Sequence, residues 1–131
     1  MAVRIVRLGS PRVPGEGVRI GTVRRPPRGV RKAQIARAGY YDVWLPLLAP
    51  SAALVKLGQA AVSEAQWRRF RARYRAEMSR PDPSRVLDVL AALSSTTDFS
   101  VGCYCEDEQR CHRAVLRELF VERHAVLARE P

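Results

Sequence analysis

No stretch of this 131-residue chain approaches the roughly 20 consecutive apolar residues that a membrane-spanning helix requires. The opening residues, Met1-Ala2-Val3-Arg4-Ile5-Val6-Arg7, interleave charge with apolar groups, so the unbroken apolar stretch of a secretory signal is missing there. A cytoplasmic location is therefore expected. Lysine is nearly absent: Lys32 and Lys56 stand against 21 arginines, a bias that codon usage alone can produce. Only three cysteines occur, an odd number in a chain without a signal, which argues against a disulfide scaffold. No repeat, low-complexity tract or linker interrupts the sequence, so residues 1–131 are expected to form one domain.

What the first third of the chain lacks is acid. Residues 1–39 hold ten basic groups and a single carboxylate, Glu16, while the remainder is nearly balanced, with thirteen basic and twelve acidic groups. Most of the net charge of +10 is thus N-terminal. Such a one-sided field attracts nucleotides, other phosphate compounds or nucleic acid.

Residues 3–8 are rich in β-branched types and read as a strand, followed by turn material at 9–11 and 14–17. Residues 18–23 read as a second strand. Arg24 to Lys32 contains Pro26, Pro27 and Gly29 and reads as a loop. Residues 40–45 are apolar and aromatic, either a strand or the start of a helical turn. A short helix opens at Pro50-Ser51, with Ser51 as N-cap, and is expected to stop at Gly58. Ser63 and Gln66 have capping-box spacing, with Val62 placed to staple to Trp67, and Trp67, Phe70, Tyr74 and Met78 then share one helical face. That stripe reads as core, and the flanking Arg68, Arg71 and Arg75 as a solvated rim. Asp82-Pro83 starts another helix, residues 99–104 alternate as a strand, and Cys111-His112 opens a last helix whose apolar face runs from Val115 to Leu127. The expected fold is α/β: a small, largely parallel sheet covered by helices.

The densest chemistry lies in Cys103-Tyr104-Cys105-Glu106-Asp107-Glu108-Gln109-Arg110-Cys111-His112-Arg113. Three thiolates and an imidazole are the number a tetrahedral zinc takes, but the spacing is not that of a familiar finger, and neighbouring residues such as Cys111 and His112 rarely bind one ion. No metal ligand and no cofactor are assigned on this ground. A second reading is a reactive site, since a thiol at a helix N-terminus beside Arg110 and Arg113 is acidified, and His112 can move a proton. The third is packing: free cysteine behaves as a small buried hydrophobe. Packing is preferred for Cys103 and function for His112.

Several ordered blocks resemble the YeaO-like branch of the domain-of-unknown-function family 488, over about residues 4–121. They are Pro14 to Ile20; Arg24, Pro27, Arg28 and Gly29; Asp42-Val43-Trp44-Leu45; Leu48-Ala49-Pro50-Ser51; Trp67, Arg69, Phe70, Tyr74 and Glu77; and Cys103 with Cys111-His112-Arg113. The resemblance implies a compact α/β domain and attaches no reaction to it. Val23 stands where the family usually has an acid and Pro26 where it has tryptophan. In the YeaO-like branch Asn-His commonly replaces Cys111-His112, which favours His112 over Cys111 as a working residue.

The expected site joins these parts. Arg24, Arg28 and Arg113 would contact an anionic small ligand, Asp42 and Trp44 would wall it, and His112 and Cys111 would be the candidate catalytic groups. An enzymatic role is left open. The alternative is a nucleic-acid-binding or regulatory module that uses the basic N-terminal third.

Overall fold

A computed structural model describes residues 1–129. Four parallel strands form one sheet: β1 (Val3–Arg7), β2 (Val18–Gly21), β3 (Val43–Trp44) and β4 (Phe99–Cys103). Their order is β1-β4-β2-β3, so the strand that comes last in sequence lies between the first two. Four helices accompany them: α1 (Ala52–Ala60), α2 (Glu64–Met78), α3 (Pro81–Leu93) and α4 (His112–Glu122). The expected parallel α/β architecture is what the chain adopts. None of the described helices is long and apolar enough to cross a membrane.

The register explains why β4 is buried along its whole length. Val3 to Arg7 pair with Phe99 to Cys103 on one side, and Val18 to Gly21 pair with Phe99 to Gly102 on the other. Both edges and both faces are covered, so even Ser100 and Gly102 are buried. Strands of this kind lose the half-exposed alternation of an edge strand. The same register aligns Arg7, Cys103, Gly21 and Trp44 along the C-terminal edge of the sheet. In open parallel sheets that edge is where ligands bind.

The larger core cluster takes side chains from all four helices, including Leu54, Phe70, Tyr74, Leu87, Val115 and Phe120. A smaller one gathers Val6, Leu8, Val23, Ile35, Tyr41, Cys103 and Cys111. Buried polar ties accompany them. Chief among them is the Glu16–Arg19 pair, in which Nε and Nη2 of Arg19 lie 2.7 and 2.9 Å from the carboxylate. Arg19 also donates to the carbonyls of Ser10 and Gly39, and Ser100 donates to Glu16. One buried pair thus fastens β2, β4 and both N-terminal loops.

Helix ends follow the sequence with instructive differences. The Ser63–Gln66 capping box forms in both directions. Val62 is 88% exposed, however, so no staple to Trp67 forms, and Trp67 stacks on Phe70 instead. Helix α1 continues past Gly58, because this glycine is there for packing: a Cβ would lie 2.8 Å from the Phe70 ring. Helix α3 begins at Pro81, one residue before the expected start. Helix α4 stops at Glu122; His124 turns left-handed (φ 58°), and Leu127 bridges to Val3 beside the sheet instead of extending the helix. Arg71 and Arg75 are not a free rim, since they pair with Glu118 and Glu122 of α4.

Candidate functional site

Residues that follow β2 and β4 meet at the C-terminal edge. Immediately after β2, Thr22 is fully buried, and its carbonyl oxygen lies 2.8 Å from Nε2 of His112. Its hydroxyl donates to Gly102 O at 2.9 Å and lies 3.2 Å from the same ring nitrogen. A carbonyl can only accept, so Nε2 carries a hydrogen, and Nδ1 is the ring nitrogen left on the other side. Tyr74 meets the imidazole edge to face, with centroids 5.3 Å apart, and donates its own hydroxyl to Leu48 O at 2.6 Å. Three partners therefore hold His112 in one orientation.

Nδ1 faces sulfur. Sγ of Cys111 is 3.8 Å away, and Cys111 caps α4 by accepting from the Arg113 N–H. Cys103, the last residue of β4, places its Sγ 3.7 Å from that of Cys105. All three cysteines are unpaired; Cys103 and Cys111 are buried and Cys105 is exposed. Of the three thiols, Cys111 is the one drawn down. Hydrogen bonding from Cys103, then from Cys105, and the neighbouring His112 draw its thiol well below the usual value against the effect of burial. Cys103 goes the other way, pushed up by its bond to Cys105, then by Cys111 and by burial. Contact with Cys103 favours the Cys105 thiolate, but its bond to Cys111 and its burial outweigh that, and its thiol sits above the ordinary value.

One hydrogen bond ties the loop after β2 to this segment, and one further contact lies just before the loop. Tyr104 donates its hydroxyl to Arg25 O at 3.0 Å, and Thr22 touches His112 directly. The individual side chains divide into two groups. Arg24 spans the edge and donates to the carbonyls of Pro46, Ala49 and Pro50, leaving Nη1 without a hydrogen bond among the described residues. It forms one wall of a cleft of about 390 Å³, which Ser51, Glu77 and Arg80 also line. Arg28 is exposed on the same loop. Trp44 is half-exposed at the edge, pinned by Nε1 to Val23 O at 2.8 Å.

Other residues are brought in without facing that cleft. Cys111, His112 and Arg113 are all buried; the Arg113 guanidinium reaches Cys105 O, and its Nε has no partner among the described residues. Asp42 does not join them. Its carboxylate grips Arg12 at 2.9 and 3.0 Å and accepts from the Arg19 N–H at 2.8 Å.

A family model named DUF488-N3a, described as the active DUF488-N3 subclade, matches residues 3–124. The chain belongs to this family. No curated protein and no solved structure matches it. The DUF488-N3a match takes in both halves of the site, from the β2 loop to the start of α4. Val23 is buried in the same apolar cluster as Cys103 and Cys111. In this DUF488-N3a member the position supplies packing against two thiols, and only its carbonyl does polar work.

Sequence reasoning missed Thr22, because a lone threonine in a strand carries no signal of its own. It also missed Arg80, which lines the cleft from the α2–α3 junction. The Glu16–Arg19 pair did leave a trace, as the only acid in the basic third at three-residue spacing from an arginine.

Proposed function

We propose that the protein binds an anionic small molecule, a nucleotide or other phosphate compound, at the C-terminal edge of its sheet. The observation that carries this reading is Arg24 itself. Its guanidinium is fixed by three carbonyls, its Nη1 has no hydrogen bond among the described residues, and the residue lines a cleft large enough for a small ligand. A pre-oriented guanidinium loses little freedom on binding and suits phosphate oxygens. Arg80 lines the same cleft and Arg28 stands on the same loop as Arg24, so each offers a second cation. Glu77, also on the wall, is engaged by the Ser51 N–H at 2.9 Å. Cys111 and His112 support the edge from below. The three unpaired thiols suit a reducing compartment such as the cytoplasm.

The test is calorimetry with inorganic phosphate, AMP and ATP, comparing wild type with Arg28→Ala and Arg80→Ala. Both substitutions remove exposed side chains that hold no structural bond among the described residues. Losing one charge-assisted contact weakens binding by roughly 10- to 100-fold, about 1.5–3 kcal/mol. Unchanged affinity in both variants removes the arginines from the site.

One observation favours a second reading, nucleic-acid binding. Arg25, Arg28, Arg31, Lys32 and Arg37 are all exposed and have no ion-pair partner among the described residues. Phosphate-driven binding to this stretch would weaken steeply as salt rises. A gel-shift titration of duplex and single-stranded DNA across salt decides it, and no shift at low salt ends this alternative.

A further inference from the structure

The cysteine cluster has a geometry that neither an arginine-lined ligand site nor apolar packing explains. The ligand atoms of Cys103, Cys111 and His112 all lie within 4.8 Å of one another, and all three residues are buried. Two separations can be compared with a metal polyhedron: 3.7 Å between Sγ of Cys103 and Cys105, and 3.8 Å between Sγ of Cys111 and Nδ1 of His112. A tetrahedral zinc with zinc–sulfur bonds of about 2.3 Å and zinc–nitrogen bonds of about 2.0 Å has edges of roughly 3.5–3.8 Å. Both pairs are spaced as such edges. We propose that Cys103, Cys111 and His112 are the buried core of a zinc(II) site, with Nδ1 of the histidine as its nitrogen ligand, and that Cys105, outside that mutually close trio but 3.7 Å from Cys103 through its Sγ, closes the shell as the fourth ligand.

Three independent features prepare the site. The first is the histidine tautomer. Thr22 O takes the Nε2 hydrogen at 2.8 Å, which leaves Nδ1 as the ring nitrogen that can give a lone pair to an ion. Ligating histidines typically donate their second ring nitrogen in this way, and the bond fixes both tautomer and ring. The second is charge. Zinc with three thiolates carries one net negative charge, and the buried Arg113 beside Cys105 has an Nε–H with no acceptor among the described residues. A buried cation in that place balances the complex. The third is backbone shape. Cys111 is extended (φ −134°, ψ 153°) and His112 is the first helical residue, so the chain bends between them. That bend is what brings the side chains of sequence neighbours together, and it answers the objection that adjacent residues rarely share an ion. The chain bends at Tyr104 just after β4, and this bend sets Sγ of Cys105 3.7 Å from that of Cys103. Cys105 is exposed and gives the ion its way in.

The experiment uses the full chain, reduced and stripped with a chelator, and titrates it with cobalt(II) as the probe. The expected result is one equivalent bound, with the visible bands of tetrahedral cobalt and a near-ultraviolet sulfur-to-cobalt band, both bleached by one equivalent of zinc(II). Cys105→Ser changes an exposed residue and leaves the core intact. It should cut the sulfur-to-cobalt intensity by about a third, as three thiolates become two, and weaken binding by roughly tenfold or more. Binding should also tighten as pH rises, because the thiol protons leave on coordination. An octahedral cobalt spectrum, or zinc retained at less than half an equivalent by reduced wild type, overturns the site. Unaltered intensity and affinity in Cys105→Ser overturns the four-ligand assignment.

Discussion

Replacing Glu16 with glutamine should cost more stability than any surface charge substitution in this protein. Arg19 is fully buried and Glu16 nearly so, and they meet through two hydrogen bonds of 2.7 and 2.9 Å. Glutamine keeps the shape but removes the charge, and its amide N–H would oppose a guanidinium donor. Arg19 would retain its bonds to Ser10 O and Gly39 O, yet its charge would stay buried without a counter-ion. Breaking one partner of such a pair costs about 3–5 kcal/mol. A total stability of about 10 kcal/mol, mid-range for a domain, leaves the variant folded. With a urea slope of about 2 kcal/mol per molar, the midpoint should fall by roughly 1.5–2.5 M. The control is Arg12→Ala, which breaks the Arg12–Asp42 pair, about a third exposed on each side, and should cost about 1 kcal/mol or less. The pH dependence supplies a second arm. Burial alone would raise the Glu16 carboxyl, but hydrogen bonds from Arg19, Ser100 and the Val13 N–H, with the charge of Arg19, hold it below the ordinary value. A carboxyl lowered on folding contributes stability that is complete above its unfolded pKa, about 4.3, and is lost as pH falls through the folded value. Wild type should therefore lose stability on acidification below that range faster than Glu16→Gln. A midpoint shift below about 0.5 M, or identical acid profiles, would refute the reasoning.

Other outcomes follow from the same coordinates. Tyr74→Phe strips a fully buried 2.6 Å bond from Leu48 O and should cost roughly 1–3 kcal/mol, read as a lower thermal midpoint. Gly21→Ala would drive a Cβ to 2.5 Å from the Tyr41 ring at the end of β2, and should destabilise by roughly 1–3 kcal/mol in a urea titration. In reduced, chelator-treated protein, a thiol reagent should modify exposed Cys105 first and buried Cys103 and Cys111 only after unfolding. Two thiols reacting at equal speed in the native state would contradict their burial.

How far the sequence could be read depends on whether a feature is local. The capping box at Ser63 and the face of Trp67, Phe70, Tyr74 and Met78 needed only helical periodicity, and both are present. Gly58 misled because a glycine inside a helix can mark a close approach as well as a stop, and the Phe70 ring that demands it belongs to another helix. Leu127 misled because apolar spacing continues beyond Glu122, whereas the chain turns at His124 and the same leucine packs beside β1. Asp42 and Arg12 are thirty residues apart, and nothing at either position announces the tie between them.

The meeting of the two halves of the site is a consequence of strand order. Consecutive pairing of β1 and β2 would have left the first loops and the last helix without a common boundary. Inserting β4 between β1 and β2 sets Gly102 beside Gly21, so the chain leaving β2 and the chain leaving β4 emerge side by side. Thr22 can then reach both Gly102 O and His112, ninety residues along the chain from it. The loop after β2, part of the strongly basic first 39 residues, is brought to Tyr104 of the cysteine–histidine segment by this crossover and by nothing local. Composition could show that each half had unusual chemistry. Only the central position of the last strand brings the segment after β2 beside the start of α4.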